Sequence, residues 1–270
     1  MQDAAPGDAP IRVSGVSDGV ATVTLDRPRT RNALSLDMIA ALHGAIDDLG
    51  HREDVSVIVL AAEGPVFCAG HDLKELTAHR SDADHGRAFF AETMTNCAAM
   101  MMAIVTCPKP VIAAVEGTAT AAGCQLVATA DLAIAGDAAN FCTPGVDIGL
   151  FCSTPMVALS RNVARKHAME MLLTGDLVPA ARAADIGLIN RCVAEGEALA
   201  AAHELAAQIA SKSAQTIAIG KRAFYEQVEK PLPEAYAFAA EVMTTNMLAR
   251  DAEEGIGAFL EKRKPEWGKP

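Results

Sequence analysis

No apolar stretch in the 270-residue chain approaches the roughly 20 residues that a membrane-spanning helix needs. Stretches such as residues 55–62 and 111–115 have the length of buried strands, so no transmembrane segment is expected. Residues 1–10 contain Asp3 and Asp8 but no basic residue and no apolar centre. They therefore match neither a signal peptide nor an Arg-rich transit peptide, and read as a disordered lead-in to a cytoplasmic protein. Positive charge is scarce: 23 Lys and Arg against 34 Asp and Glu leave a net charge of -11. That balance excludes a surface built to neutralise nucleic-acid phosphates, while a few local cations could still hold a small polyanion. The seven cysteines form no C-x-x-C pair and show no metal-ligand spacing, so no metal site is expected and the thiols fit a reducing compartment.

What the chain does have is apolar content. With 51% hydrophobic and 21% charged residues it can bury a substantial core, in one large or two modest domains. Residues 19–25 alternate like a strand and run into the turn Asp26-Arg27-Pro28. A helix follows, with Ser35 as N-cap, Met38, Leu42, Ile46 and Leu49 at helical spacing, and Gly50 as its stop. Residues 55–60 read as a strand buried on both faces, 84–106 as a long helix and 111–115 as a second buried strand. Another helix starts near Ala121, short strands fall at 132–135 and at Phe141, and 154–173 is mostly helical. Beyond Val193 the sequence is helix-forming, interrupted mainly by Pro231 and Pro233. These features predict a lead-in at 1–10, an α/β core at 11–195 and a helical region at 196–270.

Two glycine-containing loops occupy matching places, each after a buried strand and before a helix. They are Val66-Phe67-Cys68-Ala69-Gly70-His71-Asp72-Leu73 and residues 116–123. Open α/β sheets bind ligands at the carboxyl ends of their strands, where helix N-termini present free backbone N–H groups. Each loop is thus able to aim a donor at one anionic atom, although glycines in such loops also serve simply as turns.

The two loops resemble the paired signatures of the crotonase (enoyl-CoA hydratase/isomerase) superfamily. Phe67-Cys68-Ala69-Gly70-His71-Asp72-Leu73-Lys74-Glu75-Leu76 is similar to the family's F-x-A-G-x-D-[LI]-K-E-[LM] block. Lys109-Pro110-Val111-Ile112-Ala113-Ala114-Val115-Glu116-Gly117 resembles its K-P-V-I-A-A-V-x-G strand, and Ala121-Ala122-Gly123-Cys124-Gln125-Leu126 stands where it has G-G-G-C-E-L. Leu25-Asp26-Arg27-Pro28, Asn32-Ala33-Leu34 and the region from Glu254-Gly255 to Lys264 match as well, so the likeness covers nearly the whole chain. It implies a spiral of strand-strand-helix turns followed by a C-terminal helical region that builds homotrimers, often paired into hexamers. It also implies an acyl-CoA substrate, with no permanently bound cofactor. The backbone N–H groups of His71 and Ala122 would form the oxyanion hole that stabilises a thioester enolate. Arg27, Ala69, Asp72, Leu73 and Lys74 would line the CoA channel. Phe259 and Lys262 of a neighbouring subunit would close over the adenine or phosphate end, unless they merely belong to an amphipathic, solvated terminal helix.

The chain departs from the hydratase pattern where that chemistry needs proton transfer. The family's first glutamate is replaced by Gln125, and its second, after the proline of an F-x-x-P-E segment, by Gly145. An amide orients water but exchanges no proton near neutral pH, and glycine has no side chain. Candidate substitutes are His71; Glu116, alternatively a hydrogen-bonded structural carboxylate; Asp147, two residues beyond the missing glutamate; and Cys152 and Ser153, which alternatively only shape the pocket. His71 and Val115-Glu116-Gly117 also resemble decarboxylases of malonyl-type CoA thioesters, although Cys152 replaces their tyrosine. A narrower likeness is to the enoyl-CoA hydratase domain-containing proteins. The expected function is that of an enoyl-CoA hydratase/isomerase-class enzyme, with decarboxylation, thioester hydrolysis or acyl-CoA binding without turnover as alternatives.

Overall fold

The computed structural model describes residues 9–268, so the lead-in expected at 1–10 lies outside them except for Ala9 and Pro10. The chain opens with β1 (Ile11–Val13) and β2 (Val20–Leu25), an antiparallel pair, then α1 (Leu36–His51). Next come β3 (Val57–Ala62), β4 (Val66–Cys68), the short α2 (Leu73–Ala78) and the long α3 (Arg87–Thr106). A second turn contains β5 (Val111–Val115), β6 (Thr118–Thr120) and α4 (Ala122–Thr129); a third contains β7 (Leu132–Gly136), β8 (Asn140–Cys142) and α5 (Pro155–Asn162). After α6 (Arg165–Thr174), β9 (Val178–Pro179), α7 (Ala180–Asp185) and β10 (Arg191–Val193), four helices follow: α8 (Ala198–Ala210), α9 (Ala214–Gln227), α10 (Leu232–Met247) and α11 (Arg250–Glu261).

The strands form two sheets, ordered β1-β2-β3-β5-β7-β10 and β4-β6-β8-β9. Each successive central strand of the first sheet is followed by a short strand in the second, which generates the expected strand-strand-helix spiral. The pairs β3·β5, β5·β7, β4·β6 and β6·β8 are all parallel. Because side chains alternate across a strand, the first sheet divides its apolar residues between two layers. Ile58, Leu60, Val111, Ala113 and Val115 join Leu42, Ile46 and Met100 in the main core. Val57, Val59, Ile112, Ala114 and Ile134 face α8, whose Ala202 and Ala206 are fully buried. The small alanines let that helix lie close to the sheet. By packing, α8 therefore belongs with the α/β core, although it lies beyond the boundary expected near residue 195.

Local differences from the sequence reading have physical reasons. Ser35 caps α1 by accepting from the Met38 N–H, but the helix runs through Gly50 to His51. That glycine answers a packing need: a Cβ there would lie 3.2 Å from Cys107 Sγ. The long helix begins at Arg87 rather than Asp84, whose carboxylate instead receives the Gly86 and Ala88 N–H groups. Among the described residues, α3 alone is long and apolar enough to cross a membrane by length and composition. It places Thr93, Cys97, Met100, Met101 and Ile104 in the interior and packs against α1.

A buried polar cluster fastens α9 to the core. Lys221 Nζ donates to the Ile104 and Lys109 carbonyls and, at 2.6 Å, to Asp131 Oδ2; the Tyr225 hydroxyl donates to Asp131 Oδ1 at 2.9 Å. Asp131 also receives the Val111 N–H, tying the start of β5 to the same carboxylate. Beyond this point apolar side chains are left uncovered: Leu232 and Tyr236 on α10, Phe259 and Leu260 on α11, and Leu248 between them.

Candidate active site

The two glycine loops meet because β4 and β6 are neighbours. Val66 pairs with Thr118 and Cys68 with Ala119, so the segments leaving the two strands run side by side into α2 and α4. A Cβ at Gly70 would lie 2.9 Å from Ala121 Cβ and 3.2 Å from the Ala122 nitrogen. Gly70 also has φ +80°, where an L side chain is strained, so both space and backbone conformation require glycine.

The His71 peptide is held on both sides. Leu34 N–H donates to the Gly70 carbonyl at 2.8 Å, and Asp72 N–H donates to the Leu34 carbonyl at 3.3 Å. Asp72 caps α2 by accepting from the Lys74 and Glu75 N–H groups, while Glu75 Oε2 receives the Leu36 N–H. Between these anchors the His71 N–H has no acceptor among the described residues. The Ala122 N–H, at the first position of α4, has none either, while the flanking Ala121 N–H donates to Cys142 O and Gln125 N–H to Ala121 O. The two unpartnered backbone donors thus stand on adjacent strand-to-helix junctions. Ala121 just before the second donor sits at φ 51°, ψ -118°, a region that favours glycine.

Side chains around this junction are buried and neutral. His71 Nδ1 and Nε2 and Gln125 Oε1 are inaccessible and have no hydrogen-bond partner. Burial holds the His71 imidazole below its ordinary pKa; the nearby Leu34 carbonyl acts weakly in the opposite sense without reaching hydrogen-bond geometry. Gly145 is buried, and a Cβ there would meet Cys152 Sγ at 2.9 Å and the Leu150 carbonyl at 3.0 Å. The thiol therefore occupies the space into which a side chain at 145 would grow. Burial raises the Cys124, Cys142 and Cys152 thiols and pushes Cys68 up to about 12. Such thiols stay protonated at neutral pH and are poor nucleophiles.

The structure disperses the other candidate substitutes. Glu116 Oε1 accepts the Ala198 N–H at 2.9 Å, so this carboxylate caps α8 from the end of β5, and its other oxygen abuts Gly136. Asp147 is exposed on the 3-10 turn Pro144–Ile148, near Gly175. Ser153 is exposed and its hydroxyl turns to the Phe151 carbonyl at 3.3 Å. Arg27 donates to Asp37 at 2.6 Å, Ala69 N–H donates to the Arg31 carbonyl, and Leu73 and Lys74 are exposed at the start of α2. Phe259, 81% exposed, and Lys262, in a left-handed conformation ending α11, lie on the outside of the chain.

Asn32, which the sequence offered only as part of a family match without a role, organises the approach to the first loop. Asn32, fully buried at φ 52°, accepts the Arg27 N–H and donates from Nδ2 to the Glu63 and Val66 carbonyls, each at 2.9 Å. It thereby binds the Arg27 turn to the entry of β4. A short polar residue in a left-handed turn was the available signal.

The spiral of strand-strand-helix turns and the paired sheets define a crotonase-type scaffold. The enoyl-CoA hydratase/isomerase family model matches residues 15–270, and the chain belongs to that family. Mouse enoyl-CoA hydratase domain-containing protein 3, mitochondrial, is 48% identical over 93% of this chain and 82% of its own. The human protein of the same name is 47% identical over 93% and 81%. Among solved structures, an enoyl-CoA hydratase from Mycobacterium smegmatis superposes with a TM-score of 0.91 at 48% identity, covering 96% of this chain and 98% of that one. The human domain-containing protein 3 gives 0.91 at 46% identity, covering 96% and 100%. The expectation of a cytoplasmic protein is corrected by these comparisons, since relatives at 44–48% identity are named mitochondrial.

Proposed function

We propose that the chain binds an acyl-CoA and polarises its thioester carbonyl between the His71 and Ala122 N–H groups. The observation that carries this reading is that both donors lack an acceptor among the described residues and stand on loops only a van der Waals contact apart. Removing one oxyanion donor in an acyl-transfer enzyme costs about 100- to 1,000-fold in rate, so retaining both preserves the larger part of such chemistry. Arg27, Ala69, Asp72, Leu73 and Lys74 line the approach for the CoA moiety, with Asp72 acting through its cap on α2. Phe259 and Lys262 contribute from a neighbouring copy; the uncovered apolar side chains of α10 and α11 support association into a homotrimer or a pair of trimers.

The enolate-stabilising half of the chemistry is retained and the proton-transfer half is altered. General acid–base groups contribute about 100- to 10,000-fold each, so a site with Gln125 and Gly145 adds water to an enoyl-CoA far more slowly than one with two glutamates. The enclosure of Gly145 by Cys152 supports treating this loss as built into the packing. Incubation with crotonyl-CoA, a 3-enoyl-CoA, methylmalonyl-CoA and butyryl-CoA, each followed by mass spectrometry, tests the reading. It predicts micromolar binding with weak or no hydration. Hydration at the rate of a two-glutamate enzyme would show that another residue does their work, and absence of binding to every thioester would overturn the proposal.

A further inference from the structure

The loop that carries the His71 donor is held along its length by a strap, residues 31–34. Ala69 N–H donates to the Arg31 carbonyl at 3.0 Å, Leu34 N–H to the Gly70 carbonyl at 2.8 Å, and Asp72 N–H to the Leu34 carbonyl at 3.3 Å. Leu34 and His71 thereby form a parallel bridge, and whatever fixes the strap also fixes the direction of the His71 peptide. Leu34 anchors one end of the strap in the main core. At the other end Arg31 and Asn32 stand at φ 56° and 52°, consecutive left-handed residues other than glycine. Such a conformation persists only where surrounding contacts impose it.

Those contacts converge on the Asn32 side chain. Its Oδ1 accepts the Arg27 N–H, and its Nδ2 uses both hydrogens, on the Glu63 and Val66 carbonyls, each at 2.9 Å. Val66 opens β4, the strand that leads into the donor loop, and Glu63 follows directly on β3. One amide thus ties the strap to the strand from which the same loop departs. We infer that Asn32 is a positioning residue that aims the His71 N–H at the thioester carbonyl. The inference rests on the acyl-CoA reading above and adds to it a residue that acts without meeting the ligand, since Asn32 is fully buried. The site needs one acceptor and two donors on a short stem. Aspartate supplies no donor when ionised and serine supplies one, whereas asparagine meets the requirement and also tolerates a left-handed φ.

Asn32→Gly keeps the backbone conformation free of strain and removes all three side-chain bonds. Difference infrared spectroscopy of saturating butyryl-CoA, labelled with carbon-13 at its carbonyl, reads the aim of the donor, and urea unfolding reads stability separately. The unmodified protein should lower the frequency of the bound carbonyl band. Asn32→Gly should return the band toward its free-solution position and weaken binding by about 10-fold, the effect of one misdirected hydrogen bond. Lys221→Met is the control: it loosens α9 at the starting end of β5, away from the donor loops, and should lose stability with its band unmoved. Asn32→Ser retains one donor, should give an intermediate band, and carries the test if the glycine variant does not fold. An unchanged band in a folded Asn32 variant, or an equal change in Lys221→Met, would overturn the positioning role and leave the acyl-CoA reading standing. If the unmodified protein binds no thioester, or binds it without shifting the band, the polarising pocket itself fails and the inference goes with it.

Discussion

Ala121→Gly should stabilise this protein, an unusual direction for placing glycine at the edge of a helix. At φ 51°, ψ -118° the Ala121 backbone lies where a Cβ crowds the neighbouring carbonyl, and such residues cost roughly 1–3 kcal/mol. Glycine relieves that strain but gives the unfolded chain more freedom, a loss of roughly 0.4–1 kcal/mol. The methyl contact with Gly70 is also lost, a small term because only one carbon is involved. The balance is a gain of about 1 kcal/mol, which in a chain of this length raises Tm by about 2 °C. Urea unfolding at matched protein concentration should show a higher midpoint with an unchanged slope, since a shared slope means a shared change in exposed surface. A midpoint equal to or below that of the parent would refute the assignment of strain to this residue. The same relief should loosen the Ala122 peptide and weaken acyl-CoA binding, linking the strain to the aim of the second donor.

Gly70→Ala should weaken thioester binding, because its methyl would enter the gap beside the Ala122 nitrogen, and should also lower the urea midpoint, because an L side chain is strained at φ +80°; titration calorimetry with butyryl-CoA and urea unfolding read the two effects. Lys221→Met should cost about 3 kcal/mol in urea unfolding, since the part-buried Asp131 carboxylate would lose its cation and retain only the Tyr225 hydroxyl and the Val111 N–H as donors; a loss below about 1 kcal/mol would show that the pair is more solvated than its burial indicates. The His71 pKa is depressed in the folded protein relative to an ordinary imidazole, so the unfolded chain binds the extra proton first as pH falls. Its contribution is fully present above the unfolded value near 6.5 and is lost progressively as pH drops below it. His71→Asn should flatten the stability profile between pH 7.5 and 5.5, as measured by unfolding midpoints.

Much of the architecture was legible in local pattern. The β-branched run of β3, the apolar run of β5 and the Ser35 cap with its helical apolar spacing each carry their signal within a few residues. The three-residue strands β4 and β6 do not, because they exist by pairing with each other, and the sequence reading left them inside loops. Their pairing brings Gly70 to Ala122, so two motifs far apart in sequence come to one place in the fold. Glu116 illustrates the opposite case: the sequence offered a hydrogen-bonded structural carboxylate beside the second loop but not its partner, the Ala198 N–H 82 residues away. Gly145 likewise read as a simple deletion of a side chain. Only packing revealed that Cys152 fills the vacated volume. The unpaired atoms of His71 and Gln125 are invisible in sequence for the same reason, since satisfaction of a hydrogen bond is a property of surroundings.

The proposed pocket acts on one bond, the thioester carbonyl aimed at two backbone donors. Difference infrared spectroscopy of butyryl-CoA labelled with carbon-13 at its carbonyl reads that bond directly when the ligand is bound. Two N–H donors withdraw electron density from the carbon–oxygen bond, so the labelled band should move to lower frequency than in free solution, and Gly70→Ala should abolish the shifted band. A bound ligand whose carbonyl band stays at its solution frequency would contradict the account.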